Sequence, residues 1–200
     1  MRWSLVVISA IALLRAGAAE AASNESLQAW WGGCVHPVTI LDQIAACTNF
    51  IESGTETRPL WIARAFFLRA SAYLAQRNYT RAIEDCDQAI RLDPKLANAF
   101  AGRGSAYRAN NEFDRAIRDF DEAIRLNPNF AFAFNERAGA YSAKGQYDRA
   151  IRDYDEAIRL KPDYAEALYN RGHTKWLRGD TTGGDADIAK AKQLNPNIGG

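Results

Sequence analysis

Pro94, Pro128, Pro162 and Pro196 stand 34 residues apart, and each closes a version of the same segment. The versions read YTRAIEDCDQAIRLDP (79–94), FDRAIRDFDEAIRLNP (113–128), YDRAIRDYDEAIRLKP (147–162) and, much altered, TTGGDADIAKAKQLNP (181–196). A fixed period of this length constrains the fold more than any other feature of the chain. A unit this short cannot bury its own apolar face, so it stacks on its neighbours to make a quasi-linear solenoid.

Within a unit the apolar pattern is helical twice. In AFAFNERAGAYSAKGQYDRAIRDYDEAIRLKPDY (131–164) a first helix runs to about Lys144, Gly145 interrupts it, a second runs from about Tyr147 to Leu160, and Pro162 stops that. Small residues recur where two helices of one hairpin must touch: Ala70, Gly104, Ala138 and Gly172 on the first helices, and Ala82, Ala116 and Ala150 with Ala89, Ala123, Ala157 and Ala191 on the second. Tyr73, Tyr107 and Tyr141, with Phe66, Phe100 and Phe134, supply the bulk that packs between hairpins.

These units resemble tetratricopeptide repeats. The small residue, tyrosine, alanine, aromatic, alanine and proline series is filled in the second unit by Gly104, Tyr107, Ala116, Phe120, Ala123 and Pro128. The resemblance covers 63 to 198, divided into units at 63–96, 97–130, 131–164 and 165–198. With its Arg103-Gly104 and Arg171-Gly172 pairs, the chain is also similar to secreted or periplasmic bacterial proteins of this type. The resemblance implies an all-α, right-handed superhelix of hairpins, with the first helices lining a concave groove that binds a peptide or protein.

Departures from the pattern mark the ends. The last unit has Lys175 at the tyrosine position and Gly184 at an alanine position, and its second helix is polar (Asp185, Asp187, Lys190, Lys192), as a terminal cap facing water should be. Residues 22–62 precede the units, and within them TILDQIAACTNFIES (39–53) reads as a single helix covering the apolar face of the first unit.

The first residues, MRWSLVVISAIALLRAGAAEAASN, combine a basic start, a short apolar run and small-residue cleavage sites at Ala16-Gly17-Ala18 and Ala19-Glu20-Ala21. Residues 1–21 are therefore read as a signal peptide, whose apolar run from Trp3 to Leu14 is too short for a membrane span of roughly 20 residues, with an uncleaved amphipathic anchor as the alternative. Its loss would take the basic residues from 25 to 23 and the acidic from 24 to 23. A neutral chain of this kind offers no basic stripe for nucleic acid and no polybasic patch for lipid. Periplasmic or secreted location is the expectation, and no membrane insertion is expected after cleavage.

Export gives the cysteines a reading. Cys34 and Cys47 lie outside the units and are expected to form a disulfide in an oxidising compartment. Metal binding would recruit His36 but reach only three ligands. Cys86 stands where other units carry Phe120 and Tyr154, so it is read as a buried apolar residue.

The recurring charges, Arg69, Arg103, Arg137 and Arg171 against Asp85, Asp119 and Asp153, suggest a structural ion-pair ladder. Carried over from the resemblance, the groove would present Arg64, Phe67, Leu68, Ser71 and Leu74; Asn98, Ala101, Ser105 and Arg108; Phe132, Asn135 and Glu136; and Glu166, Tyr169, Asn170, His173 and Trp176. The family's carboxylate clamp needs basic and amide residues where this chain has Phe67, Ser71, Gly102, Phe132 and Glu136, so an acidic-tail ligand is not expected. Tyr169, His173 and Trp176 share one helix face at i, i+4, i+7. They could grip an apolar side chain of a ligand or pack against the protein's own terminal segments. With two histidines, and no G-x-S-x-G, H-E-x-x-H or phosphate-binding glycine loop, no catalytic residue, metal or cofactor is expected. The expected function is a non-enzymatic binding scaffold, with a structural module, either self-associating or one subunit of a larger envelope assembly, as the alternative and an enzyme with an unrecognised site as the last reading.

Overall fold

The structure is a computed structural model that describes residues 25–54 and 56–199. The expected signal peptide at 1–21 lies outside the described residues, all of whose regular elements are helical. Helix α1 covers 25–35 and α2 covers Ile40–Glu52. Four hairpins follow: α3 (Pro59–Ala75) with α4 (Tyr79–Leu92), α5 (Ala97–Ala109) with α6 (Phe113–Leu126), α7 (Ala131–Ala143) with α8 (Tyr147–Leu160), and α9 (Ala165–Arg178) with α10 (Thr181–Leu194).

The turn inside each hairpin repeats with the sequence. One residue per turn takes a positive φ: Arg77 at 58°, Asn111 at 61°, Gly145 at 71° and Gly179 at 99°. The next residue's N–H reaches back to close the preceding helix. Asn78 donates to the Tyr73 carbonyl at 2.8 Å, Glu112 to Tyr107 at 2.8 Å, Gln146 to Tyr141 at 2.9 Å and Asp180 to Lys175 at 2.9 Å. These bonds satisfy helix-end carbonyls that would otherwise lack a partner. The second helices end before proline, and the residue before it is pushed out of the helical region, as at Asn127 with φ −136° and ψ 92°.

Small residues set the approach inside a hairpin. A methyl added to Gly104 would fall 2.8 Å from the Phe120 ring, and one added to Gly172 would fall 2.8 Å from the Gly184 carbonyl oxygen. The aromatic residues then carry the core across unit boundaries. Tyr107, Ala116, Phe120 and Ala123 form one cluster with Ala133 of the following hairpin. Tyr154 and Ala157 do the same with Ala167. First helices also touch first helices of adjacent hairpins (α3 with α5, α5 with α7, α7 with α9), whereas α4, α6, α8 and α10 do not touch one another. Units that meet on one side and splay on the other curve the stack, which places the first helices on its concave face.

The N-terminal segment holds one more helix than the single one expected over 39–53. Leu27, Trp30, Trp31 and Cys34 are spaced i, i+3, i+4, i+7, an amphipathic signature that makes α1 a partner for α2. The two helices are joined by the Cys34–Cys47 disulfide, and Gly33 approaches Ala46 so closely that a β-carbon would lie 2.9 Å from it. Phe50 is buried beneath Trp31, their rings 5.1 Å apart, and Trp61 of α3 meets Trp31 edge-on at 4.8 Å. A fifth hairpin thus covers the first repeated one. The approach to α3 is fixed by Glu56, which accepts from the Arg58 backbone at 2.8 Å and side chain at 2.9 and 2.6 Å. Those bonds hold the Glu56 carboxyl at about 2.

Candidate binding groove

The repeated charges form a ladder on the hairpins. Arg103 donates from Nε and Nη2 to Asp119 of its own hairpin at 2.8 and 2.7 Å, and from Nη1 to Asp87 of the preceding hairpin at 2.5 Å. Arg137 repeats this with Asp153 and Asp121, and Arg171 with Asp187 and Asp155. At the first rung Arg69 pairs with Asp85 and takes the Thr48 hydroxyl on its other side. Asp119 and Asp121 therefore serve different arginines, which accounts for both carboxylates. Lys175 also reaches Asp187, at 2.8 Å.

The concave face holds a hollow of about 430 Å³ spanning three hairpins. Phe67, Ser71 and Leu74 of α3 form one wall. Asn98, Ala101, Gly102 and Ser105 of α5 form the floor, and Phe130, Phe132 and Glu136 form the far wall at α7. The lining is largely apolar, and Phe132 is 40% exposed, its ring 5.9 Å from that of Phe130. Glycine at 102 keeps the floor low, because a β-carbon there would lie 3.4 Å from Phe67 and 3.3 Å from Cys86 Sγ. Cys86 is fully buried beneath it, and burial pushes its thiol up to about 12, so it stays protonated and inert. Two serines face this region at equivalent positions of successive units. Ser71 Oγ donates to the Phe67 carbonyl of its own helix at 3.0 Å. Ser105 Oγ is buried and has no hydrogen-bond partner among the described residues.

Beyond the hollow the groove turns polar. Glu136 accepts from Arg108 at 3.1 and 2.9 Å through one oxygen and from Asn135 at 3.1 Å through the other. Asn170 then donates to Asn135 at 3.3 Å. Four residues carried over separately from the resemblance are one chain of bonds across α5, α7 and α9. At the far end Tyr169, His173 and Trp176 stack edge to face, with ring centres 4.6 and 5.1 Å apart. The protein's own C-terminal segment meets both ends of this stripe. Trp176 lies against Gly184 and donates to the Thr181 carbonyl at 3.1 Å, and the Tyr169 hydroxyl abuts Gly199. Leu68 points elsewhere, into the cluster of Cys34, Cys47 and Phe50. Arg64 is exposed, 5.8 Å from the Trp61 ring. Gly102, named from sequence as a clamp position, lies on the groove floor, whereas sequence reasoning did not place Phe130 in the groove. Phe130 precedes α7, a position that lines a groove only once the turn of one hairpin against the next is known.

Among the described residues no cluster of histidine, cysteine and carboxylate side chains could hold a metal ion, and no helix is long and apolar enough to cross a membrane. A family model described as "Tetratricopeptide repeat" matches 63–96 and 97–130, a second of the same description matches 120–152, and one described as "TPR repeat" matches 140–179. The chain belongs to the tetratricopeptide-repeat family. No curated protein matches it significantly. Among solved tetratricopeptide-repeat structures, MamA from Desulfovibrio magneticus RS-1 superposes with a TM-score of 0.70 at 14% identity, over 88% of this chain and 98% of that one. TTC0263 of Thermus thermophilus gives 0.68 at 18% identity, over 80% and 84%. YrrB, described as having an unusual peptide-binding site, gives 0.60 at 19% identity, over 80% and 79%. At these identities the likeness is one of fold. The tetratricopeptide-repeat fold is a protein-interaction scaffold, and the hollow is where this chain departs from a uniform repeat surface.

Proposed function

We propose that the chain is an exported, non-enzymatic scaffold of the cell envelope that holds a peptide segment of a protein partner along its concave groove. The observation that carries this is the apolar hollow between Phe67 and Phe132, formed by first helices and left uncovered by the other described residues. The peptide-binding site named for YrrB, a protein of the same fold, lends support. Export is supported by the signal-like residues 1–21 and by the Cys34–Cys47 bridge, which suits an oxidising compartment. A photoreactive residue at position 132 should crosslink a partner in intact cells, and the same residue at Arg91, exposed on a second helix, should not. Equal labelling from both positions, or none from either, would remove the groove reading. The mature chain should begin at Ala19 or Ala22, and an intact Met1 in the cytosolic fraction would remove the export reading.

The alternative, a self-associating subunit, is favoured by the apolar residues left open on the last hairpin: Leu177 is 63% exposed, Leu194 45% and Trp176 39%. Sedimentation separates the two readings. A monomer at micromolar concentration removes the self-associating form of the alternative, whereas an oligomer dispersed by Leu177→Glu supports it.

A further inference from the structure

Resting on the groove reading above, we infer that the segment held in the hollow is the turn between α1 and α2 of a second copy of this chain, with Val38, Ile40 and Leu41 entering between Phe67 and Phe132 and Asp42 meeting Arg64. Val38 is 93% exposed, Leu41 69% and Ile40 42%, and Thr39 among them is exposed as well. Three apolar side chains in four consecutive residues left in water call for a cover. The hollow, at about 430 Å³, has room for the side chains of a short segment rather than of one residue. The turn is also held ready. The Cys34–Cys47 bridge ties its two helices together behind it, and Thr39 Oγ1 caps α2 by accepting from the Asp42 backbone at 3.1 Å. A knob that is rigid before it docks loses little freedom on docking.

Charge decides what covers the turn. Residues 25–54 carry Glu25, Asp42 and Glu52 and neither lysine nor arginine. Segments that enter lipid keep basic residues beside their apolar face to meet anionic headgroups, so this hairpin is a poor match for a membrane surface. The groove offers the opposite sign. Helices α3 and α5 contain no acidic residue, and the Glu136 carboxylate on the far wall is taken up by Arg108 at 2.9 Å. Arg64, one turn before Phe67 on α3, is exposed and makes no ion pair among the described residues. Asp42 follows directly on Leu41, and Arg64 stands beside Phe67, so on both surfaces a charge borders the apolar contact and the two charges are opposite. Turn and hollow are different surfaces of one chain, so the pairing is head to tail. Each added copy brings its own open hollow, and the assembly lengthens or closes into a ring.

The test uses the mature full-length chain with its disulfide formed. In sedimentation the unmodified chain should grow into dimers and larger assemblies as its concentration rises. Val38→Asp and Phe132→Asp should each weaken association by at least about tenfold. Asn98→Asp, at an exposed floor position, takes the place of Phe132→Asp should thermal melts show that variant unfolded. Mixed in equal amounts, the turn variant and the hollow variant should form dimers and nothing larger, because each retains the surface that the other has lost. A photoreactive residue at position 132 should become joined to residues 38–42 of a second copy. Assemblies dispersed by only one variant or by neither, a mixture that stays monomeric, or an unmodified chain that is monomeric at its highest soluble concentration would overturn the inference. So would binding of the unmodified chain, and not of Val38→Asp, to vesicles of phosphatidylglycerol and phosphatidylethanolamine. A crosslink from position 132 to a different protein would then leave the groove reading standing, and no crosslink from that position would remove both.

Discussion

Arg137 is gripped from two sides, by both oxygens of Asp153 within its hairpin and by Asp121 of the hairpin before. The side chains of Arg137 and Asp153 are 17% and 12% exposed, so little water is available to either once its partner is gone. Arg137→Ala should therefore lower stability by about 3 kcal/mol in urea denaturation, the cost of a nearly buried carboxylate left alone. Arg125 makes an ion pair of similar length with Glu122 but lies 67% exposed, and Arg125→Ala should leave the denaturation midpoint where it was. Arg77 illustrates a different residue-scale effect. It occupies a turn position with φ 58° where the third and fourth hairpins have glycine. Relief of left-handed strain, about 1–2 kcal/mol, outweighs the added flexibility of glycine in the unfolded chain, about 0.5–1 kcal/mol. Arg77→Gly should thus stabilise the protein by up to about 1 kcal/mol, readable as a higher melting temperature.

At the scale of the element, the N-terminal hairpin is attached differently from the others. It has the disulfide and the Trp31, Phe50 and Trp61 stack, but among the described residues its one hydrogen bond to the charge ladder is that of the Thr48 hydroxyl with Arg69. The bridge closes a loop of 13 residues, for which chain entropy gives about 3 kcal/mol. Reduction, or Cys47→Ser, should release α1 and α2 before the rest, because neighbouring hairpins in a solenoid are coupled only pairwise. Hydrogen exchange should show faster amide exchange across 25–52 and unchanged protection in α5 to α10; uniform loss throughout would contradict this. The 34-residue period makes α3 to α10 legible from sequence, since each boundary is repeated four times and errors at one are corrected by the others. Helix α1 has no such copies. Its Leu27, Trp30, Trp31, Cys34 spacing could have located it, but it adjoins the small-residue stretch at 16–23 and looks like a continuation of it. The groove divides in the same way. Phe67 and Phe132 follow from the first-helix positions, whereas Leu68 turns to the N-terminal core and Phe130 turns inward, outcomes set by how one hairpin rotates against the next.

Across the whole molecule, the ladder treats the two kinds of contact unequally. Each full rung places two hydrogen bonds inside a hairpin and one between hairpins: Arg103 holds Asp119 through Nε and Nη2 but Asp87 through Nη1 alone. In mechanical terms the solenoid is a chain of stiff links with softer joints. Pulled by its ends, it should part at the joints first and then lose each hairpin whole. The extension trace of a single molecule should rise in steps of one 34-residue unit, about 11–12 nm of contour at roughly 3.3–3.6 Å per residue. Steps of half that length would mean that the two helices of a hairpin separate independently. A peptide lying across the hollow would touch three hairpins at once, and so would brace two of the joints that the ladder leaves soft.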